Sequence, residues 1–183
     1  MKLFLVVLGG RSRGCHIEQH DVRWVIGNTI EDTFPELIRQ WHGLRKGLHL
    51  DSYKRVERVD HHHVAVLDGA GPEETIAGPR LWFVNLGAYR AESMAEQHQF
   101  GLVVARSAAS AKGIARRRWL KGLEQVHKDD LHAVAQDPVL DDLLPITGNG
   151  QWHLRLTEVD GVDADGGEAA DGEAPDWYGY RLI

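Results

Sequence analysis

Residues 3–8 form an unbroken apolar run, Leu3-Phe4-Leu5-Val6-Val7-Leu8, followed by Gly9 and Gly10. A run without polar alternation predicts a strand covered on both faces, and the glycines behind it read as a tight turn. Val22-Arg23-Trp24-Val25-Ile26 supplies a second short strand. The period then changes, because Ile30, Phe34, Leu37, Ile38 and Trp41 fall on one face of a helix. Thr29 is placed to cap that helix. Thr33 with Glu36 offers an alternative capping box, which would put Pro35 in the first turn, where its missing N–H costs little. Leu48-His49-Leu50 and Val64-Ala65-Val66-Leu67 predict two further strands, so this part of the chain reads as a ββαββ unit.

The same pattern occurs twice. Leu3, Val6, Leu8 and Gly9 recur as Leu81, Val84, Leu86 and Gly87, and Glu18-Gln19-His20 recurs as Glu96-Gln97-His98. Val25, Arg39 and Trp41 recur as Val103, Arg117 and Trp119, always at an offset of 78 (98 − 20, 119 − 41). A repeat held in register across strand and helix predicts a duplicated structural unit. Residues 100–104 are then the second strand of the new copy, and Ser107 takes the place of Thr29 as helix cap.

Beyond the second helix two alignments compete. One keeps the offset and pairs His49-Leu50-Asp51 with His127-Lys128-Asp129; the other treats residues 122–151 as an insertion and pairs Leu48-His49-Leu50 with Trp152-His153-Leu154. The second is favoured, since residues 152–156 alternate as a strand should and Lys128-Asp129-Asp130 does not. It leaves residues 177–183 as a final strand. The expected organisation is a first module over 1–68, a linker over 69–79 rich in Gly, Pro and Glu, and a second module over 80–183 with insertions at about 122–151 and 158–176. The fold class is α+β, with two tandem ββαββ-like modules packed into one body about an approximate internal two-fold. Equivalent residues would then gather at a shared seam.

Composition narrows the partners. A net charge of −6 disfavours nucleic acid as a general partner, although a local basic patch is compatible with it. Cys15 is the single cysteine, so no intrachain disulfide forms, thiolate-rich zinc sites are excluded, and a cytoplasmic protein is expected. No apolar run approaches the roughly 18–20 residues that span a bilayer, so no membrane partner is expected. A homo-oligomer is compatible with the chain.

Glu18 and His20 lie two apart, as do Glu96 with His98 and His49 with Asp51, so on extended backbone each pair shares a face. Such carboxylate–imidazole pairs can bind a small polar ligand or a divalent metal ion, or work as acid and base, or they can satisfy each other structurally, which is the first expectation. Lys112 and Arg116 stand on the second helix where the first copy has Phe34 and Ile38, and they form a candidate site for an anion. The segment Asp163-Ala164-Asp165-Gly166-Gly167-Glu168 lacks an oxygen ligand at Gly167, so it reads as a solvated loop. No metal site is expected and no cofactor is indicated. His61-His62-His63 reads as an exposed strand edge, and Cys15 as an inert thiol.

Leu8-Gly9-Gly10, residues 17–22, residues 27–33, Trp41 and Leu48-His49-Leu50-Asp51-Ser52 together resemble the bacterial family called domain of unknown function fifteen forty-three, whose members often carry two copies per chain. The resemblance covers most of residues 3–67 and is thinner in the second copy. It implies a compact soluble bacterial protein and no activity. The leading expectation is a module that binds or senses a small polar or anionic ligand through Glu18, His20, Glu96 and His98. The alternatives are a hydrolase with His20 or His98 as general base, and an interaction scaffold using the basic helix.

Overall fold

The computed structural model describes residues 1–71, 78–89, 92–119, 125–126, 143–159 and 174–183. Antiparallel strands dominate and two short α-helices accompany them, which makes the fold α+β. The chain divides into two compact units, one of Met1–Arg58, His63–Leu67 and Asp160–Ile183, the other of Val59–His62 and Asp68–Val159. No described helix is long and apolar enough to cross a membrane.

In the first unit β1 (Lys2–Gly10) pairs with β2 (Gln19–Gly27) without a shift, from Lys2 opposite Gly27 to Gly10 opposite Gln19. Both strands run further than their apolar stretches because the ladder carries the polar ends with it. Phe4, Val6 and Leu8 face a core closed by Leu37 and Trp41 of the helical segment, which is a 3-10 turn (Glu31–Thr33) leading into α1 (Phe34–Gln40). Thr29 and Asp32 cap this start reciprocally: the Thr29 N–H donates to Asp32 Oδ2 at 2.9 Å, and the Asp32 N–H donates to Thr29 Oγ1 at 3.4 Å. Thr33 makes no capping bond; its hydroxyl donates to the Ile30 carbonyl at 2.6 Å.

Gly9 and Gly10 do not form the expected turn. Both lie inside β1, and their value is closeness of approach: a Cβ on Gly10 would sit 2.8 Å from Trp41 Cζ2, and one on Gly9 2.8 Å from His49 Cε1. On the other side of β1 runs β3 (His49–Val56), with Gly9 facing His49 and Leu8 facing Leu50, then Val7 facing Ser52. Asp51 is the extra residue of the resulting bulge. β3 leads through β4 (Arg58–Val59) into β5 (His62–Asp68), and the tight turn between them holds Asp60 and His61 at φ 49° and 61°. His61 is thus a turn residue, and only His62 and His63 of the expected edge lie in a strand.

The second unit repeats the first hairpin in register. β6 (Arg80–Tyr89) pairs with β7 (Gln97–Ala105), Arg80 opposite Ala105 and Ala88 opposite Gln97, at the same offset from their counterparts (80 − 2, 97 − 19). α2 (Ala108–Arg118) follows, and Ser107 caps it as expected, its Oγ accepting from the Ser110 N–H at 3.2 Å. Trp41 and Trp119 end the two helices alike, their N–H groups donating to the Leu37 and Ala115 carbonyls.

The third strand decides between the alignments. β8 (Gln125–Val126) and β9 (Leu143–Ile146) flank β6 where β3 flanks β1. The Gly9–His49 ladder, carried forward by the repeat offset on both strands, has Ala88 with Val126 as its next rung, which is the pair observed. Val84 then faces Leu143 where Val6 faces Tyr53, a spacing of 90 (143 − 53). Twelve residues (90 − 78) therefore enter at the place where β3 carries only its bulge. Trp152-His153-Leu154 belongs to β10 (Trp152–Glu158), which is not beside β6. The favoured alignment is corrected accordingly; apolar alternation marked a strand but not its neighbour.

β11 (Trp177–Leu182) completes the first unit's sheet, in the order β11-β3-β1-β2, and does not add to the second unit. Trp177 stacks on Tyr53 with centroids 6.1 Å apart, and the Asp176 carboxylate accepts the Arg55 N–H at 2.6 Å. Arg181 reaches across to the helix, 2.9 Å from Glu31 and 5.0 Å over the Phe34 ring. Residues 163–168, Lys121, His127 and Asp129 lie outside the described residues.

Candidate functional site

Four of the residues singled out by spacing meet in the first unit. Gly9 faces His20 across one ladder and His49 across the other, so both imidazoles rise from the same side of the sheet. Asp51, two residues on from His49, lies on that side as well. Its Oδ2 lies 3.2 Å from His20 Nε2 and its Oδ1 3.2 Å from His49 Nε2. Glu18, just before β2, brings Oε1 to 3.6 Å from His49 Nε2. The expected Glu18–His20 partnership is thus exchanged: His20 pairs with Asp51, and Glu18 approaches His49.

The two histidines differ. His49 is 1% exposed and covered by the Tyr180 ring at 4.1 Å. Its Nδ1 lies 2.8 Å from the Gly47 carbonyl, which only accepts, so the proton sits on Nδ1 and Nε2 is the atom turned to the carboxylates. His20 is half exposed. Asp51 fixes it with Nε2 as donor, and its Nδ1 has no partner among the described residues. No described lysine or arginine pairs with Asp51 or Glu18. Among the described residues, no three histidine, cysteine, aspartate or glutamate side chains already stand as a metal-holding set.

The second unit presents a smaller arrangement. His98 Nε2 lies 3.5 Å from Glu96 Oε2, and the Asn85 amide nitrogen is 3.3 Å from His98 Nδ1, so both ring nitrogens are engaged. Glu96 Oε1 is buried without a partner among the described residues. Lys112 is half-buried and Arg116 exposed on α2, and neither makes an ion pair with a described residue. Arg118, at the end of the same helix, pairs with Asp60 at 2.5 Å, and Asp60 also accepts the Val104 N–H at 2.7 Å. A groove of about 770 Å³ in this unit, bordered by Arg80, Ile146, Trp152, His153 and Arg155, contains none of the expected residues.

Sequence reasoning missed Gly9 and Tyr180. The first was read as a turn glycine. The second lies at the far end of the chain from His49 and carries no local signal.

The model of the family described as Domain of Unknown Function (DUF1543) matches twice, over residues 15–66 and 93–144. Both ends of the second match follow those of the first at one offset (93 − 15, 144 − 66), which is also the offset of the paired strands. Among solved structures, a protein Il1583 from Idiomarina loihiensis is similar over 100% of this chain and 97% of its own, with 29% identity and a TM-score of 0.68. No curated protein matches the chain.

Proposed function

The chain belongs to the Domain of Unknown Function (DUF1543) family, and from that premise we propose that it binds a small polar ligand at the first-unit cluster of Glu18, His20, His49 and Asp51. One observation carries the reading: His20 is held through Nε2 by Asp51, while its Nδ1 opens to solvent as a fixed acceptor. A purely structural pair would engage both nitrogens, as His98 does with Glu96 and Asn85. We read the second copy, where both imidazole nitrogens are engaged, as the structural counterpart and the first as the site. In this reading the two copies are two modules of one duplicated ββαββ design.

The test is His20→Ala. Its side chain is 54% exposed, so stability should change by no more than about 0.5 kcal/mol in chemical denaturation. Binding of metabolites retained on the purified protein should be lost. A His20→Ala protein that keeps the retained ligand sinks the proposal.

The Asp51–His20 dyad also favours a second reading, general-base hydrolysis, since the carboxylate fixes the tautomer that leaves Nδ1 as base. Turnover of ester or phosphoester substrates that disappears in Asp51→Asn would select it. An anionic partner at Lys112 and Arg116 is a third proposal, to be tested by whether binding weakens steeply with salt.

A further inference from the structure

We infer that the ligand taken by the Glu18–His20–His49–Asp51 cluster is a cation, either a divalent metal ion or the ammonium or guanidinium group of a small molecule. This rests on the reading of the cluster as a ligand site and names the class of ligand.

The argument is an accounting of electron pairs. His49 Nδ1 is committed as donor to the Gly47 carbonyl, so in the neutral ring Nε2 carries a lone pair. That lone pair is directed at Asp51 Oδ1, 3.2 Å away, and Glu18 Oε1, 3.6 Å away. Three electron-rich atoms facing one another repel unless something positive lies between them, either a proton on Nε2 or a cation. Among the described residues, the side-chain donor brought to the two carboxylates is the Nε2–H of His20. Each carboxylate offers about four acceptor positions. The cluster is therefore rich in acceptors, and an anion would meet like charge.

Four further features fit a cation at this point. The Gly47 carbonyl orients His49 as a backbone carbonyl orients a metal-ligating imidazole through its far nitrogen. Gly9 leaves the space in which His49 and Asp51 meet, since any Cβ there would strike both. Glu18 makes no hydrogen bond among the described residues and its side chain is 42% exposed, so it can rotate inward. That rotation is what remains to close the site, because three donors do not yet surround one point. Tyr180, tilted against His49 and itself largely exposed, offers an aromatic ring suited to an organic cation.

The experiment follows the imidazole nitrogen resonances of His20 and His49 in the full chain during separate titrations with Zn²⁺, methylguanidinium and inorganic phosphate. Saturable shifts with Zn²⁺, strongest at His49 Nε2, support the inference and identify a metal ion. Saturable shifts with methylguanidinium alone support it and identify an organic cation. Glu18→Gln should weaken either by about tenfold or more, and its exposed position leaves folding intact, as an unchanged thermal midpoint would verify. Shifts at His20 with phosphate and with neither cation overturn the inference while the ligand site stands. No shift with any probe overturns both.

Discussion

At the scale of single residues, a position with no side chain sets the geometry of the cluster. Gly9 has no positive φ to justify it; it is glycine because His49 and Asp51 meet above its Cα. Gly9→Ala should destabilise the protein by about 1–3 kcal/mol, as overpacking does, and should disturb the His20 and His49 resonances together, both measurable on one sample. Asp32 acts through protonation. Backbone N–H groups of Thr29, then of Asn28, hold its carboxyl below the ordinary value of 3.8, so its contribution is present above that pH and is lost as pH falls through the depressed value. Asp32→Asn should lower stability at neutrality and leave it little changed in acid, so that the acid limb of a stability–pH curve below about pH 4 flattens. The Thr29 cap could be read from the sequence because capping is local. The His20–Asp51 pairing could not, since two-residue spacing favoured Glu18 and the pair crosses from β2 to β3 over Gly9 of β1.

Elements show why the two copies diverged. Phe34 and Ile38 of α1 pack against a core that Trp177 and Ile183 help to close, with Arg181 lying over Phe34. The corresponding positions of α2, Lys112 and Arg116, have no described strand in the place of β11. Lys112 is half-buried and Arg116 exposed, so both charges can reach solvent. Phe34→Lys should therefore cost about 1–3 kcal/mol, and Lys112→Ala within about 0.5 kcal/mol, by urea denaturation. The tryptophans adjusted in a similar way: Trp41 lies on Gly10 of β1, whereas Trp119 lies on Gly101 of β7, where the first copy has Arg23. Pairs β1–β2 and β6–β7 and both helices were legible because their periods are local. The neighbours of β10 and β11 were not, because alternation records a half-buried strand without naming its partner.

At the scale of the whole molecule, both the first and the last described residues belong to the first unit, and the long segment Asp68–Val159 forms most of the second. A fragment of residues 1–68 should therefore fold poorly, since the β3 edge that β11 covers would be bare. A synthetic peptide of residues 174–183 added in trans should bind that fragment and raise its thermal midpoint. Equal stability with and without the peptide would show β11 to be dispensable.

That closing strand also sets an order in time. Residues 57–176 separate β3 from β11, and at the usual pace of translation they take about 6–24 s to synthesise. For that interval the ribosome holds a nascent first unit with an unzipped margin while the later repeat emerges. The half that is born first is finished last. A transcript cut short anywhere in between yields a chain that displays a naked strand to chaperones and proteases, so β11 reports that everything between the two strands was translated.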